Sequence, residues 1–234
     1  MIFNGTDLSP WLEVMSIDRP LLASRRLNTT DVSGLNGVYV SDDALESETI
    51  SVECAIKAES PDEVADVRRM LAPLLLTSEA AKLVLDDEPT LYYYAWVKGG
   101  IDTERSHSWP SITVEFLLAD PIAYGEERSA AVGTGGTKVW NRGTCKTFPI
   151  ITCTPPKGTS WKLSNTDTGD YIEVQATFDG SIEVELDTAT ESCKVNGAYH
   201  PVTLGSDFFP LESGSQNLKT SGGTATLTWT ERWL

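Results

Sequence analysis

The chain has 234 residues, enough for one large domain or two domains of ordinary size. Hydrophobic residues make up 40% and charged residues 22%, which excludes an intrinsically disordered protein. The net charge of −16 disfavours specific nucleic-acid binding, because an acidic surface repels phosphate groups. No apolar run reaches the roughly 20 residues that span a bilayer, and the N-terminal segment lacks a signal peptide's basic start and apolar core. We therefore expect folding in a cytoplasm and no membrane contact.

The first part of the chain alternates predicted strands with one helix. Phe3–Val14 is predicted as two short strands around a turn, and Leu35–Val40 as a strand followed by the acidic turn Ser41–Asp43. Glu48–Ala58 places its apolar residues at every second position, which predicts a half-buried strand that could form a hairpin with Leu35–Val40. Further strands are predicted at Ala81–Leu85, Leu91–Val97 and Ser111–Leu118.

A helix is predicted from Ser60 to about Leu76. Ser60 and Glu63 have the spacing of a capping box, and Pro61 occupies the first helical position, where its missing N–H costs nothing. Apolar residues between Val64 and Leu75 fall on one stripe, while Pro73 is expected to end or kink the helix.

The amino-acid composition changes at Gly125–Lys138, a stretch of small, polar residues that is rich in glycine and is interpreted as a linker. It separates a domain of residues 1–128, with a charge balance of −13, from one of residues 129–234, with a balance of −3. In the second domain short strands recur about every ten residues, and Asn196-Gly197 is typical of a type I′ hairpin turn. This pattern predicts a β-sandwich or jelly roll.

Residue patterns that carry catalysis are missing from the sequence. His107 and His200 are the two histidines and lie in different predicted domains, and no nucleophile elbow, phosphate-binding loop or zinc-protease motif is present. None of the cysteines is in a CxxC pair, so we expect buried free thiols rather than a metal site: Cys54, Cys145, Cys153 and Cys193. We therefore expect no enzyme activity, no cofactor and no bound metal.

Two glycan-directed alternatives remain open in the second domain. Several aromatic residues could stack on sugars, with Trp161 and Tyr171 as the main candidates; the others are Trp140, Trp229 and Trp233. This predicts a carbohydrate-binding module for host adhesion as the alternative function. Glu183 and Glu185 could serve a glycoside hydrolase, although two carboxylates on one strand face are more typical of a solvated surface.

Several short motifs, in order and spacing, resemble the distal tail proteins of siphophages, and they extend over nearly the whole chain. In the first domain these are FNGTDL at residues 3–8, VSGLNG at 32–37, YYYAWV at 92–97 and FLLADPIAY at 116–124. In the second they are VWNRG at 139–143, FPI at 148–150, and DFFPL at 207–211 followed by Gly214 and Asn217.

The resemblance implies a mainly β fold: an N-terminal β-sandwich ring domain with one α-helix and a C-terminal galectin-like β-sandwich. It implies a structural protein of the virion tail tip, assembled in the host cytoplasm. Its implied form is a homohexameric ring that lets DNA pass and binds the tail tube, tape-measure, and tail hub or receptor-binding proteins.

Two sets of residues become candidates for such a ring. The first is an interface hairpin, because exposed strand edges template pairing with another chain; it comprises Gly34, Gly37, Val38, Val40, Ile50 and Val52. The second is a set of acids that would line a channel and repel DNA phosphates; it comprises Asp42, Asp43, Glu46, Glu48, Asp86, Asp87 and Glu88.

Overall fold

The structure is a computed structural model that describes residues 1–99, 103–105 and 110–234, without the side chains of residues 42, 43 and 103–105. The described chain forms two compact units, Met1–Ala123 together with Leu234, and Tyr124–Trp233. It is mainly β, with antiparallel sheets and one helix among the described residues, which confirms the predicted class. Within the described residues, no helix has the length and apolarity that crossing a membrane requires. Of the two histidines, His107 lies outside the described residues.

The first unit is built on one eight-stranded sheet with the order β2-β1-β7-β8-β10-β6-β3, in which β9 also pairs with β10. A separate two-stranded sheet consists of β4 and β5. The strands are β1 (Ile2–Phe3), β2 (Thr6–Asp7), β3 (Leu12–Asp18), β4 (Arg25–Thr30), β5 (Tyr39–Leu45), β6 (Glu48–Ile56), β7 (Ala81–Val84), β8 (Tyr93–Val97), β9 (Thr103–Arg105) and β10 (Pro110–Leu118).

The large sheet curves strongly around its core. Phe3 in β1 and Phe116 in β10 are three strand spacings apart in the sheet order, which corresponds to about 14 Å in a flat sheet. Their ring centroids are nevertheless only 5.4 Å apart. The alternation predicted for β6 is confirmed, since Ile50, Val52 and Cys54 are buried in this core.

Helix α1 (Pro61–Leu75) covers the same core with a buried stripe of Val67, Leu71 and Leu75. Its N-terminus is capped as predicted: the Ser60 hydroxyl accepts a hydrogen bond from the Glu63 backbone N–H at 3.3 Å. The Glu63 carboxylate in turn accepts the backbone N–H of Glu59 at 2.8 Å. The helix continues past Pro73 for two more residues before it ends.

The predicted pairing of Leu35–Val40 with Glu48–Ala58 is wrong. β5 pairs with β4, a strand that the sequence analysis did not identify, and β6 lies between β10 and β3 in the large sheet. The acidic residues Asp42 and Asp43 lie within β5 rather than in a turn. β6 is apolar enough to take a central position in the large sheet, whereas the β4 sequence lacks the apolar alternation that marks a half-buried strand.

The second unit is a sandwich of two sheets around one core, as predicted. The sheet orders are β11-β20-β13-β16-β17-β18 and β12-β19-β14-β15. Asn196 and Gly197 have positive φ and join β17 to β18, which confirms the predicted hairpin turn. The strands are β11 (Ala123–Val132), β12 (Thr137–Asn141), β13 (Ile150–Cys153), β14 (Trp161–Asn165), β15 (Tyr171–Val174), β16 (Val184–Asp187), β17 (Ser192–Val195), β18 (Ala198–Tyr199), β19 (Gly214–Thr220) and β20 (Ala225–Trp233).

The glycine-rich stretch Gly125–Lys138 is not a linker. It forms most of β11, a tight turn in which the Gly136 N–H donates to the Gly133 carbonyl at 3.2 Å, and the start of β12. The two strands belong to different sheets of the sandwich, and Val132 and Val139 are both buried between them. The small residues form the tight turn by which the chain passes from one sheet to the other. Composition alone does not distinguish such a turn from a flexible linker.

The cysteines are free thiols, and Cys54, Cys153 and Cys193 are buried as expected, while Cys145 is half-buried. Burial raises the pKa of Cys54 to about 11, of Cys153 to about 12 and of Cys193 to about 11, because a thiolate is poorly solvated in an apolar environment.

We therefore expect iodoacetamide at pH 8 to modify at most Cys145 in the native protein, since the three buried thiols remain protonated and covered. Mass spectrometry of the intact chain measures this, and all 4 cysteines should react after unfolding in guanidinium. Rapid native labelling of Cys54, Cys153 or Cys193 would contradict the packing of the two cores.

Candidate self-assembly surface

The β4–β5 hairpin exposes apolar side chains that the first unit does not bury. All six residues of β4 are exposed, and among the described strands β4 and β5 pair only with each other. Between Leu27 and Val40 several large apolar side chains are accessible; the exposed fractions are Leu27 51%, Val32 43%, Leu35 66%, Val38 54%, Tyr39 63% and Val40 47%. Scattered exposed apolar residues are normal, but a group of this size on one element is typical of an interaction surface.

The tip of the hairpin depends on two glycines. Gly34 and Gly37 have φ values of +90° and +88°, a region that residues with a Cβ rarely adopt. The Leu35 N–H donates to the Val32 carbonyl at 3.1 Å and closes the turn. The glycine-x-x-glycine pattern of the sequence therefore reverses the chain and presents Leu35 at the tip.

A lone two-stranded ribbon is marginally stable in water. The base of this hairpin is held by the Glu46 N–H, which donates to the Ser24 carbonyl at 2.8 Å, and the Glu48 carboxylate accepts the Ser24 N–H at 3.4 Å. Beyond that base, the backbone of β4 pairs with that of β5, and the Ser41 hydroxyl donates to the Asn28 carbonyl at 3.0 Å across the hairpin. An additional surface that covers the hairpin would both stabilise it and remove its apolar side chains from water.

The structure places some residues of the predicted interface hairpin on the β4–β5 hairpin and others in the core. Gly34, Gly37, Val38 and Val40 lie on the projecting hairpin. Ile50 and Val52 do not: they are 2% and 0% exposed in β6 and face the core, so their inclusion was wrong. The sequence analysis also missed Leu27 and Tyr39, which share the hairpin.

Three of the predicted channel acids instead meet cations of the same unit. Arg19 donates to Glu88 at 2.7 Å and lies 3.0 Å from the Asp87 carboxylate, while Asp86 pairs with the amino group of Met1. Partial burial disfavours the charged guanidinium, but the hydrogen bond and charge of Glu88 outweigh it, so the pKa of Arg19 is raised. This network joins the segment after β3 to the turn between β7 and β8, a structural role that the acids serve in the single chain.

The remaining predicted acids lie between the middle of β5 and the first residue of β6. Glu46 is exposed, and Glu48 is half-buried and accepts the Thr49 N–H at 3.0 Å. Asp42 and Asp43 occupy β5, but their side chains lie outside the described residues. Glu46 is therefore the member of this group whose carboxylate the structure shows exposed to solvent.

The two main candidates for sugar stacking, Trp161 and Tyr171, do not present an open aromatic face. Trp161 is 1% exposed, and its indole N–H donates to the Gly222 carbonyl at 2.9 Å inside the sandwich. The Lys162 ammonium lies 3.6 Å from the centroid of the Tyr171 ring and covers one face. The Tyr171 hydroxyl packs against Gly205, where an added Cβ would lie 2.5 Å away. Burial and the cation therefore account for the two main candidates of the carbohydrate-binding alternative, whereas Trp140, which was also named, is 59% exposed.

The two carboxylates considered for glycoside hydrolysis, Glu183 and Glu185, lie on or beside strand β16, and one of them is in an ion pair. Glu185 lies opposite Lys194 on neighbouring strands, and the ammonium donates to its carboxylate at 2.8 Å. Glu183 is exposed and precedes β16. Among the described residues, no group of three or more histidine, cysteine, aspartate or glutamate side chains could hold a metal ion.

The motif VWNRG in the second unit has a structural role that its residues explain. Asn141 is 1% exposed, and its amide donates to the carbonyls of Cys145 and Leu211 at 2.9 and 3.1 Å. Its side-chain oxygen accepts the Gly143 N–H at 3.0 Å. One buried asparagine thus satisfies three backbone groups and fixes the loop after β12.

Comparison with known proteins gives two family models that together extend over most of the chain. Residues 7–118 match a model described as a phage tail protein RIFT-related domain, and residues 142–233 match one described as the C-terminal domain of a siphovirus-type tail component. The chain belongs to the siphophage distal tail protein family. This confirms the resemblance of its sequence motifs and assigns it to the structural proteins of the phage tail tip.

Individual relatives agree with this assignment. The distal tail protein of Bacillus phage SPP1 is 21% identical over 243 residues, which cover 100% of this chain and 95% of that protein. A crystal structure of SPP1 Dit, described as a paradigm of the hub adsorption apparatus in phages that infect Gram-positive bacteria, matches with a TM-score of 0.85. That match has 21% identity and covers 100% of this chain and 98% of the other.

Proposed function

We propose that this protein forms a homohexameric ring at the tail tip, joining the tail tube to the tape-measure protein and to the tail hub or receptor-binding proteins. The observation that carries the proposal is the β4–β5 hairpin, whose apolar side chains from Leu27 to Val40 are exposed in the single chain. In a ring these side chains would be covered by a neighbouring copy, which removes apolar surface from water.

Cyclic closure suits a hairpin of this kind. A ring in which every copy uses the same two different surfaces leaves neither surface unpaired, so assembly stops at a defined number of copies. An open arrangement would instead leave one apolar hairpin exposed at a growing end. The first unit would build the ring, and the second would offer a docking platform to other tail proteins.

The ring would also let DNA pass during ejection. The hypothesis of an acidic channel rests on Asp42, Asp43, Glu46 and Glu48, because Asp87 and Glu88 share an ion pair with Arg19 and Asp86 pairs with the Met1 amino group. Fixed negative charge at the lining repels the duplex over a Debye length of about 8 Å at physiological ionic strength. It would keep the DNA from adhering as it moves.

The assembly state tests this proposal. We expect multi-angle light scattering of the purified protein to give six times the mass of the 25.5 kDa chain, and a complex with tail partners to contain six copies of it. Negative-stain images should show a ring with a central hole. A monomer at high concentration that also forms no ring with tail partners would overturn the proposal.

A further inference from the structure

A concave apolar surface among the described residues of the first unit has a chemistry that matches the exposed hairpin. A groove of about 450 Å³ runs along helix α1 beside β10. Its floor is apolar and includes Leu75 and Ile112, which are 6% and 5% exposed. We name it the α1 groove.

Helical spacing places two arginines and two alanines along this groove. Ala65, Arg68, Arg69 and Ala72 follow the i, i+3, i+4, i+7 pattern, so they share one face of α1. The alanines are small and leave the floor accessible, while the arginines add positive charge to the wall. Residues 1–128 as a whole have a charge balance of −13, and Arg25-Arg26 is the other pair of adjacent arginines among them.

The two cations are available to a partner. Arg69 lies 3.1 Å from Asp66 one turn earlier, but both side chains are more than 70% exposed, and such a surface pair contributes little. Arg68 is exposed as well, and among the described residues it lies in no salt bridge. An incoming carboxylate would therefore find two donors beside an apolar floor.

The hairpin carries the complementary chemistry. Its distal part, residues 27–43, contains Asp31, Asp42 and Asp43 and no lysine or arginine, whereas Arg25 and Arg26 lie at its base. In this distal part Leu35, Val38 and Tyr39 are exposed. An acidic, apolar ribbon thus matches a basic, apolar groove on the same unit. The two surfaces differ, as the interface of a cyclic ring larger than a dimer requires.

We propose that the β4–β5 hairpin of one copy docks into the α1 groove of the next copy. This inference rests on the proposed ring and specifies which two surfaces meet in it. Each copy would donate one hairpin and accept one, so apolar surface is buried and the charges of Arg68 and Arg69 meet the exposed Asp31 at every interface of the ring.

Directed cross-linking tests the pairing. In a Cys145→Ser background, the double variant Val38→Cys with Ala72→Cys should oxidise to a ladder of covalent oligomers that ends at the hexamer. Val38→Cys with Ala65→Cys samples the other end of the groove. An equal mixture of the two single variants, Val38→Cys and Ala72→Cys, should stop at covalent dimers, because each chain then offers one thiol to the pair.

Charge reversal supplies an independent measurement. The variant Arg68→Glu with Arg69→Glu should dissociate at a concentration at least tenfold above the parent, and Asp31→Lys should recover part of that loss. Lys157→Glu, an exposed lysine of the second unit, is the matched control and should leave assembly unchanged.

The parent's mass, measured first, separates the two proposals. The parent could form a hexamer while neither cysteine pair gives a covalent ladder and the Arg68→Glu, Arg69→Glu variant assembles normally. That result would overturn hairpin docking in the α1 groove and leave the proposed ring standing. A parent that stays monomeric with its tail partners would overturn the ring and this inference together.

Discussion

The Gly143→Ala variant is expected to lose about 3 kcal/mol of unfolding free energy in the second unit, because the site has no space for a methyl group. An ideal Cβ at Gly143 would lie 2.3 Å from the Arg232 carbonyl oxygen and 2.8 Å from the Arg232 nitrogen. Both are backbone atoms, and the Arg232 carbonyl also accepts the Cys145 N–H at 3.0 Å. Moving away would break that bond.

The loop is held on its other side as well, so it cannot shift easily. The Gly143 carbonyl accepts the Ser213 hydroxyl at 2.7 Å, and its N–H donates to buried Asn141 at 3.0 Å. For a unit of this size the loss corresponds to a melting temperature lower by about 10 °C or more. Differential scanning calorimetry of the full chain measures it.

Gly135→Ala is the matched control, since no atom lies within 4 Å of its ideal Cβ. We expect its unfolding free energy to change by less than about 0.5 kcal/mol. If the two variants had equal melting temperatures, the loop that follows β12 could not lie as close to strand β20 as the structure shows.

The second large effect is expected at the hairpin. Replacing Tyr39 and Val40 together with glutamate should prevent assembly at concentrations where the parent forms a ring. These side chains are 63% and 47% exposed in the single chain, so the substitution leaves the core unchanged. In an interface, each change removes buried apolar surface and adds a carboxylate that must lose its water.

We expect a cost of at least about 3 kcal/mol for each interface, which corresponds to a weakening of about 100-fold. Light scattering over a concentration series measures it, and circular dichroism should show unchanged secondary structure. Leu204→Glu is the control, because this fully exposed leucine lies in the second unit. Normal assembly of the Tyr39→Glu, Val40→Glu variant would exclude the hairpin from the interface.

The strongly periodic elements of this protein could be predicted from the sequence. The helix Pro61–Leu75 has a cap, a first-turn proline and an apolar stripe, and these local signals act whatever packs around them. The alternation in β6 likewise defines its buried face, and Asn196-Gly197 defines its hairpin because the turn needs two residues with positive φ. The order of the motifs was enough to indicate the family.

Strand partners and burial were decided by the tertiary structure. β5 pairs with β4 rather than β6, because β6 is apolar enough to occupy the middle of the large sheet between β10 and β3. Trp161 is a buried core residue and Trp140 is 59% exposed, a difference that aromatic content alone does not reveal. The α1 groove, too, exists only where the helix lies beside Ile112 of β10. Local sequence determines which faces are apolar, whereas contacts between distant segments determine which of those faces remain exposed to bind a partner.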